Sequence, residues 1–141
     1  MTVASKQFAK LFTAEEANEL IPRLEVLVRK LHAYAKQARE RASQALDQGT
    51  PPSDLETLAR SDPVLRAAMR DMSKAAEQIQ GFGCFLKDID LGLIDFPGEV
   101  DGETVFLCWQ YGEPQVVAWH PIDQGFGSRR PLTGSRKVYL N

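Results

Sequence analysis

The chain predicts an α+β fold: a long antiparallel helical hairpin with kinked helices, then a small antiparallel β unit and an irregular C-terminal tail. Three observations carry this expectation. Apolar residues run from Ala17 through Ile21, Leu24, Val28, Leu31, Ala35, Ala38 and Ala42 to Ala45 in an unbroken alternation of four-residue and three-residue steps. That spacing is one face of a helix, kept as a heptad seam. A second seam, Leu58, Leu65, Met72 and Ile79, recurs every seven residues. Past Gly83 the pattern becomes short apolar runs separated by turn residues, the signature of strands.

The first helix starts at Thr13-Ala14-Glu15-Glu16. Thr13 is the expected N-cap, and Glu16 at N3 completes a capping box. Two acids in the first turn also suit the helix dipole. Phe12 precedes the cap as half of a hydrophobic staple, weak because its partner position is Ala17. Pro22 lies inside the seam. It removes one backbone donor and predicts a kink costing ~3 kcal/mol. The seam keeps phase across it, so one kinked helix is expected from about Ala14 to Asp47. The seam carries large residues first and only alanine later. Its first half therefore suits the β unit, and its second half suits close approach of another helix.

Gln48-Gly49-Thr50-Pro51-Pro52 stops this helix, and Ser53-Asp54-Leu55-Glu56 forms a second capping box. Asp62-Pro63 interrupts the second helical stretch, because the residue before a proline avoids the helical region. Asp62 is then the expected cap of the longer part, ending at Gly81 or Gly83. Strands are expected at Cys84–Lys87, at Leu91–Phe96 (ended by Pro97-Gly98), at Thr104–Gln110 and at Gln115–His120. Asp101-Gly102 is a turn, and Tyr111-Gly112-Glu113-Pro114 is a hairpin loop. Pairing Gln110 with Gln115 places Val105, Leu107, Trp109, Val116, Ala118 and His120 on one face. Phe106, Cys108, Val117 and Trp119 then share the other. Both faces are largely apolar, so both need cover.

A length of 141 residues fits a single domain over 1–141, with the hairpin at about 13–81, the β unit at about 84–120 and the tail at 121–141. The hydrophobic share of 43% and charged share of 26% are those of an ordinary globular chain. A net charge of −2 gives no global pull toward nucleic acid or anionic lipid. No nucleic-acid or membrane partner is expected. Met1 to Lys10 lacks an apolar core, so no signal peptide is expected, and the location expected is the cytoplasm. Cys84 and Cys108 each sit in an apolar run outside any CxxC, as reduced, buried, small hydrophobes.

Three groups of residues could carry chemistry. Lys87, Asp88, Asp90 and Asp95 gather around the first strands. Three carboxylates there could hold a divalent cation, but the spacing is not an EF-hand and suits turn chemistry. His120 ends a strand without an HxH or HExxH pattern to support ligation; His32 sits beside the helix seam and reads as surface. Gly125-Phe-Gly-Ser-Arg-Arg130 combines glycine-turn donors with two arginines and could hold an anion. It is not a Walker motif, and Ser128 has no histidine at triad spacing. No metal centre and no cofactor is expected from these patterns.

A series of short motifs runs through nearly the whole chain: Phe12-Thr-Ala-Glu-Glu-Ala-Asn18 with Leu20-Ile-Pro22, Lys87-Asp88, Gly92-Leu-Ile-Asp-Phe-Pro97, Leu107-Cys-Trp109, Gly112-Glu113, Trp119-His120, Gly125-Phe126, and Arg129 to Leu132. In that order they resemble the prokaryotic family catalogued as domain of unknown function 2203. The resemblance implies a small bacterial cytoplasmic protein and supplies no activity. It also singles out Lys87, Asp88, Asp95, Trp109, Glu113, His120 and Arg129 as candidate ligand-binding residues, polar or aromatic groups near strand ends.

Two functions arise as expectations. One is a non-enzymatic binding or assembly module, in which the hairpin drives homo-oligomerisation and the β end presents a recognition surface. The other is a metal- or anion-dependent enzyme using Asp95, Glu113 and His120, with Arg129 holding an anion. The first is preferred, because the seams are long and no catalytic set is complete.

Overall fold

The computed structural model describes residues 8–47 and 55–132. Within them the fold is α+β: helices α1 (Ala14–Asp47), α2 (Leu55–Ser61) and α3 (Pro63–Gly81), then one antiparallel sheet. Its strands are β1 (Phe85–Asp88), β2 (Leu93–Val100), β3 (Glu103–Gln110), β4 (Ala118–Pro121) and β5 (Arg130–Pro131), in sequence order across the sheet. The expected stop after α1 and the Ser53 capping box lie outside the described residues.

The start of α1 is built as its sequence dictates. The Glu16 N–H donates to Thr13 Oγ1 at 3.0 Å, and the Thr13 N–H donates to Glu16 Oε1 at 2.9 Å. That backbone donor and the Lys10 ammonium hold the Glu16 carboxyl below its ordinary pKa. Phe12 ties the helix start to the sheet. Its N–H donates to the Pro97 carbonyl, and its ring meets Phe96 edge-on at 5.3 Å. α1 continues through Pro22 without interruption.

The seam of α1 is its buried face. Ala17, Ile21, Leu24, Val28 and Leu31 join Ala75 and Ile79 of α3 and the sheet residues Ile94, Phe96, Leu107 and Trp109 in the main core. Ala38 and Ala45 pack instead with Leu58, Ala59, Leu65 and Ala68. The change from large residues to alanine along α1 thus matches a change of partner, from sheet to helix. Asp62 caps α3, accepting from the Val64 and Leu65 N–H groups at 3.0 and 3.1 Å. Its carboxylate also takes the Arg41 guanidinium at 2.8 Å, tying the cap to α1. His32 is half-buried rather than superficial. Its Nε2 donates to the Ile89 carbonyl at 2.8 Å, and its ring stands edge-on to Tyr111.

The sheet departs from expectation in three places, each for a local reason. β2 does not end at Pro97-Gly98 but runs to Val100. The Pro97 carbonyl accepts from Phe12, on the side away from β3. A residue's N and C=O point to the same side of an antiparallel strand, so the missing proline N–H falls at the edge and not in the β2–β3 ladder. Gly98 lies at that same approach: a Cβ there would stand 2.8 Å from the Phe12 carbonyl oxygen.

Second, β3 and β4 pair one residue out of the expected register. Phe106 faces His120, Leu107 faces Trp119 and Cys108 faces Ala118. A slip of one residue exchanges the faces of a strand. Ala118 and His120 therefore join Phe106 and Cys108, and Trp119 joins the helix-facing side. The expected four-residue loop is longer, reaching Val117, and its far end is held from elsewhere. The Val116 N–H donates to Asn18 Oδ1 of α1 at 2.7 Å.

Third, the region after Pro121 is not wholly irregular. A 3-10 turn at Phe126–Ser128 leads into β5, where Ala118 pairs with Pro131 and Trp119 with Arg130. By contrast the Asp101-Gly102 turn is as expected. Both residues have positive φ, 53° and 83°, as a type I′ hairpin requires.

Candidate functional site

One face of the sheet packs on the helices; the site lies on the other. Asp95 of β2 stands directly opposite Cys108 of β3. His120 of β4 faces Phe106, two residues from Cys108 along β3. Three adjacent strands thus deliver a carboxylate, a thiol and an imidazole to one spot. Their ligand atoms all lie within 4.8 Å of one another. All three side chains are buried, with residue exposures of 4%, 1% and 2%. Phe106 packs against His120, and Phe8 and Phe85 pack edge-on against Phe106 and one another.

The hydrogen bonds of His120 determine what the pair can be. Its Nδ1 lies 2.9 Å from the Pro121 carbonyl oxygen. A carbonyl only accepts, so Nδ1 carries a proton. In the neutral ring Nε2 is then a bare lone pair, and it lies 3.0 Å from Asp95 Oδ2. Two lone pairs cannot face one another in a dry site without a proton or a cation between them. Burial raises the Asp95 pKa, outweighing the opposing pull of His120 and Lys87. The carboxyl is thus inclined to keep a proton that the imidazole can share.

Cys108 completes the group. Burial, and then the neighbouring Asp95 charge, push its thiol up to about 12. Cys84 is pushed to about 12 as well by burial, and its Sγ donates to the Ile79 carbonyl. Both thiols are free and buried. Alkylation of either in the native protein should therefore be slow, and should accelerate as denaturant unfolds the chain. Rapid labelling of both without denaturant would contradict their burial.

A second polar group adjoins the first. Arg129 Nη2 donates to both carboxylate oxygens of Glu113, at 2.9 and 3.0 Å, and to the Cys108 carbonyl at 3.3 Å. Glu113 Oε1 also accepts the Gln110 N–H at 2.7 Å. The Arg129 guanidinium lies over the Phe126 ring. The glycine-arginine segment therefore commits its first arginine to an internal partner. Arg130 instead lies over Trp119.

The candidate residues divide accordingly. Asp95 and His120 meet, Glu113 and Arg129 meet, and Cys108 touches both groups. Lys87 is exposed, with Nζ 4.7 Å from the Phe106 ring centroid, and its charge is felt by Asp95. Asp88 stands apart, capping its own turn by accepting the Leu91 N–H at 2.9 Å. Asp90 faces Arg39 at 3.7 Å. The three carboxylates of that segment thus go to three different tasks, not to a shared cation. Trp109 lies on the helix-facing side, fully buried in the main core, its Nε1 donating to the Glu113 carbonyl at 2.9 Å. Cys108 is the residue that sequence reasoning left out of the group.

A protein-family model described as an uncharacterised conserved protein (DUF2203) matches residues 10–132. No curated protein and no solved structure matches the chain.

Proposed function

Since the chain belongs to the uncharacterised conserved protein family DUF2203, whose description names no activity, we propose that it is a non-enzymatic binding and assembly module. In this reading α1 and α3 act as an antiparallel helical hairpin, kinked at Pro22, that seats a second copy of the chain. The β end presents the recognition surface, on which Lys87 is exposed, and the protein works in the cytoplasm.

The observation that carries the reading is an open groove of about 490 Å³ between α1, α3 and the β1–β2 turn. Ala35, Ala38, Met69, Met72, Ala76 and Ile89 line it. Methionines and alanines make an adaptable apolar bed. Arg39 and Asp90 lie at its rim, both mostly exposed. A two-fold contact brings each patch against its own copy, and the loose, exposed Arg39–Asp90 pair of one copy can then exchange partners with that of the other. A second copy of the chain is therefore the occupant that this rim complements.

The competing reading is a metal- or anion-dependent enzyme using Asp95, Glu113, His120 and Arg129. The burial of Asp95 and His120 closes them to a substrate, and Glu113 and Arg129 neutralise one another; both support assembly over catalysis, whether or not an ion is bound. Among the described residues no helix is long and apolar enough to cross a membrane.

Sedimentation of the full chain at tens of micromolar should give a dimer or higher oligomer. Ala76→Glu places a charge in the groove and should yield monomer with an unchanged helical spectrum. A clean wild-type monomer at that concentration removes the proposal.

A further inference from the structure

We propose that Asp95, Cys108 and His120 form a site for a single zinc-class transition-metal ion, bound through Oδ2, Sγ and Nε2. It is independent of the assembly reading. It rests on the cluster's donor set, its geometry and its charge balance.

The donor set selects the class of ion. A thiolate, an imidazole nitrogen and a carboxylate oxygen are the ligand types of zinc and its borderline-soft neighbours. Calcium and magnesium take oxygen ligands, and here two of three donors are not oxygen. A tetrahedral ion with bonds of about 2.0–2.3 Å needs its ligand atoms about 3.3–3.7 Å apart. One donor atom of each residue already lies within 4.8 Å of the other two, and Nε2 and Oδ2 stand 3.0 Å apart. Small side-chain adjustments on three neighbouring strands reach that spacing.

The histidine is oriented for ligation. Its Nδ1–H is anchored on the Pro121 carbonyl, the outer hydrogen bond that metal-binding histidines use to fix the tautomer. This aims the Nε2 lone pair at Asp95. Because that lone pair opposes a carboxylate oxygen, the buried site needs a positive species between them, and a proton or a metal ion can fill that role.

Charge decides whether the exchange is tolerable in a dry site. Without metal, the neutral thiol and the Asp95–His120 pair sharing one proton sum to zero. On binding, the thiol proton and the shared proton both leave to solvent. A divalent ion with one thiolate, one carboxylate and a neutral imidazole again sums to zero. Two protons therefore exchange for one dication with no net charge buried in either state, which avoids the penalty that an uncompensated buried charge carries.

The test uses the full-length chain, stripped with chelator and titrated with cobalt(II), then zinc(II). The expected result is one cobalt per chain with a thiolate-to-cobalt charge-transfer band, displaced by zinc. About two protons per zinc should be released in weakly buffered solution near neutral pH. Cys108→Ser should abolish the band and weaken zinc binding at least about 100-fold, beyond the range commanded by a ligand's outer partners. Cys84→Ser should retain both. Failure of the stripped wild type to take up cobalt or zinc at micromolar concentration overturns the proposal, and leaves the pair to its proton. A band that survives Cys108→Ser, or that Cys84→Ser removes, also overturns it. X-ray absorption of zinc-loaded wild type decides the matter without any variant: one sulfur with nitrogen and oxygen neighbours is expected, and a sulfur-free shell rejects the site.

Discussion

His120→Ala should lower the unfolding free energy by about 3–5 kcal/mol, the range seen when one partner of a buried pair is removed. The substitution leaves the Asp95 carboxyl buried beside Cys108, without the group that shares its proton. It also takes the Nδ1 donor from the Pro121 carbonyl, which keeps only the Gln124 N–H, and opens a void beside Phe106. Asp95→Ala should cost a similar amount, because it strands the imidazole in its place. Asp95→Asn is the discriminating variant. An asparagine amide can donate to the bare Nε2 without any shared proton, so the loss should be about 1 kcal/mol or less. Urea unfolding with chelator present gives the order. If Asp95→Asn costs as much as Asp95→Ala, the pair depends on a full carboxylate charge and the shared-proton description fails.

The same pair sets a pH dependence whose sign comes from Asp95. Its folded pKa is raised, chiefly by burial, so the native state holds that proton more tightly than the unfolded chain does. The stability it contributes is complete below the unfolded carboxylate pKa. It is lost as pH rises through the raised, folded value. Asp95→Asn removes that titration. The wild type should therefore lose stability relative to Asp95→Asn as pH climbs out of the ordinary carboxylate range.

How much of this was legible in the sequence differs by element, and range of interaction explains the difference. The start of α1 rests on Thr13 and Glu16, three residues apart, and the buried face on a strict step pattern, so both could be read locally. The cap at Asp62 was legible for the same reason. The pairing of β3 with β4 was not. It depends on a loop whose geometry is held by Asn18, nearly a hundred positions earlier, and by Arg129, well after it. That one-residue slip had a chemical consequence. With Gln110 opposite Gln115, His120 falls on the face away from Cys108, so the thiol reads as core. In the observed register the two share a face with Asp95. Asp95 and His120 were identifiable as unusual polar residues in apolar strands, but their meeting with Cys108 was hidden by register alone. Pro97 misled for a similar reason: a proline ends a strand only where its missing donor is needed, and the edge position supplied by Phe12 is non-local.

Trp109 carries the other large effect, and its value separates core from ligand site. Trp109→Ala should destabilise the protein by about 3–5 kcal/mol, as deletion of a large buried aromatic does. The indole is fully buried within the cluster formed by α1, α3 and the sheet, and stands edge-on to Tyr111. Its removal leaves a void that neighbours held on rigid strands and helices refill only in part. Trp109→Phe should cost less than Trp109→Ala, about 1–3 kcal/mol. It keeps most of the apolar contact but deprives the Glu113 carbonyl of the Nε1–H donor. That bond also braces the loop presenting Glu113 to Arg129. The phenylalanine variant should therefore raise hydrogen exchange of the Gln110 amide, which donates to Glu113 Oε1, more than it affects the helix amides. Chemical denaturation and amide exchange measure the two effects. A Trp109→Ala protein of wild-type stability would mean that the tryptophan is not a core residue, and would return it to the candidate ligand-binding set.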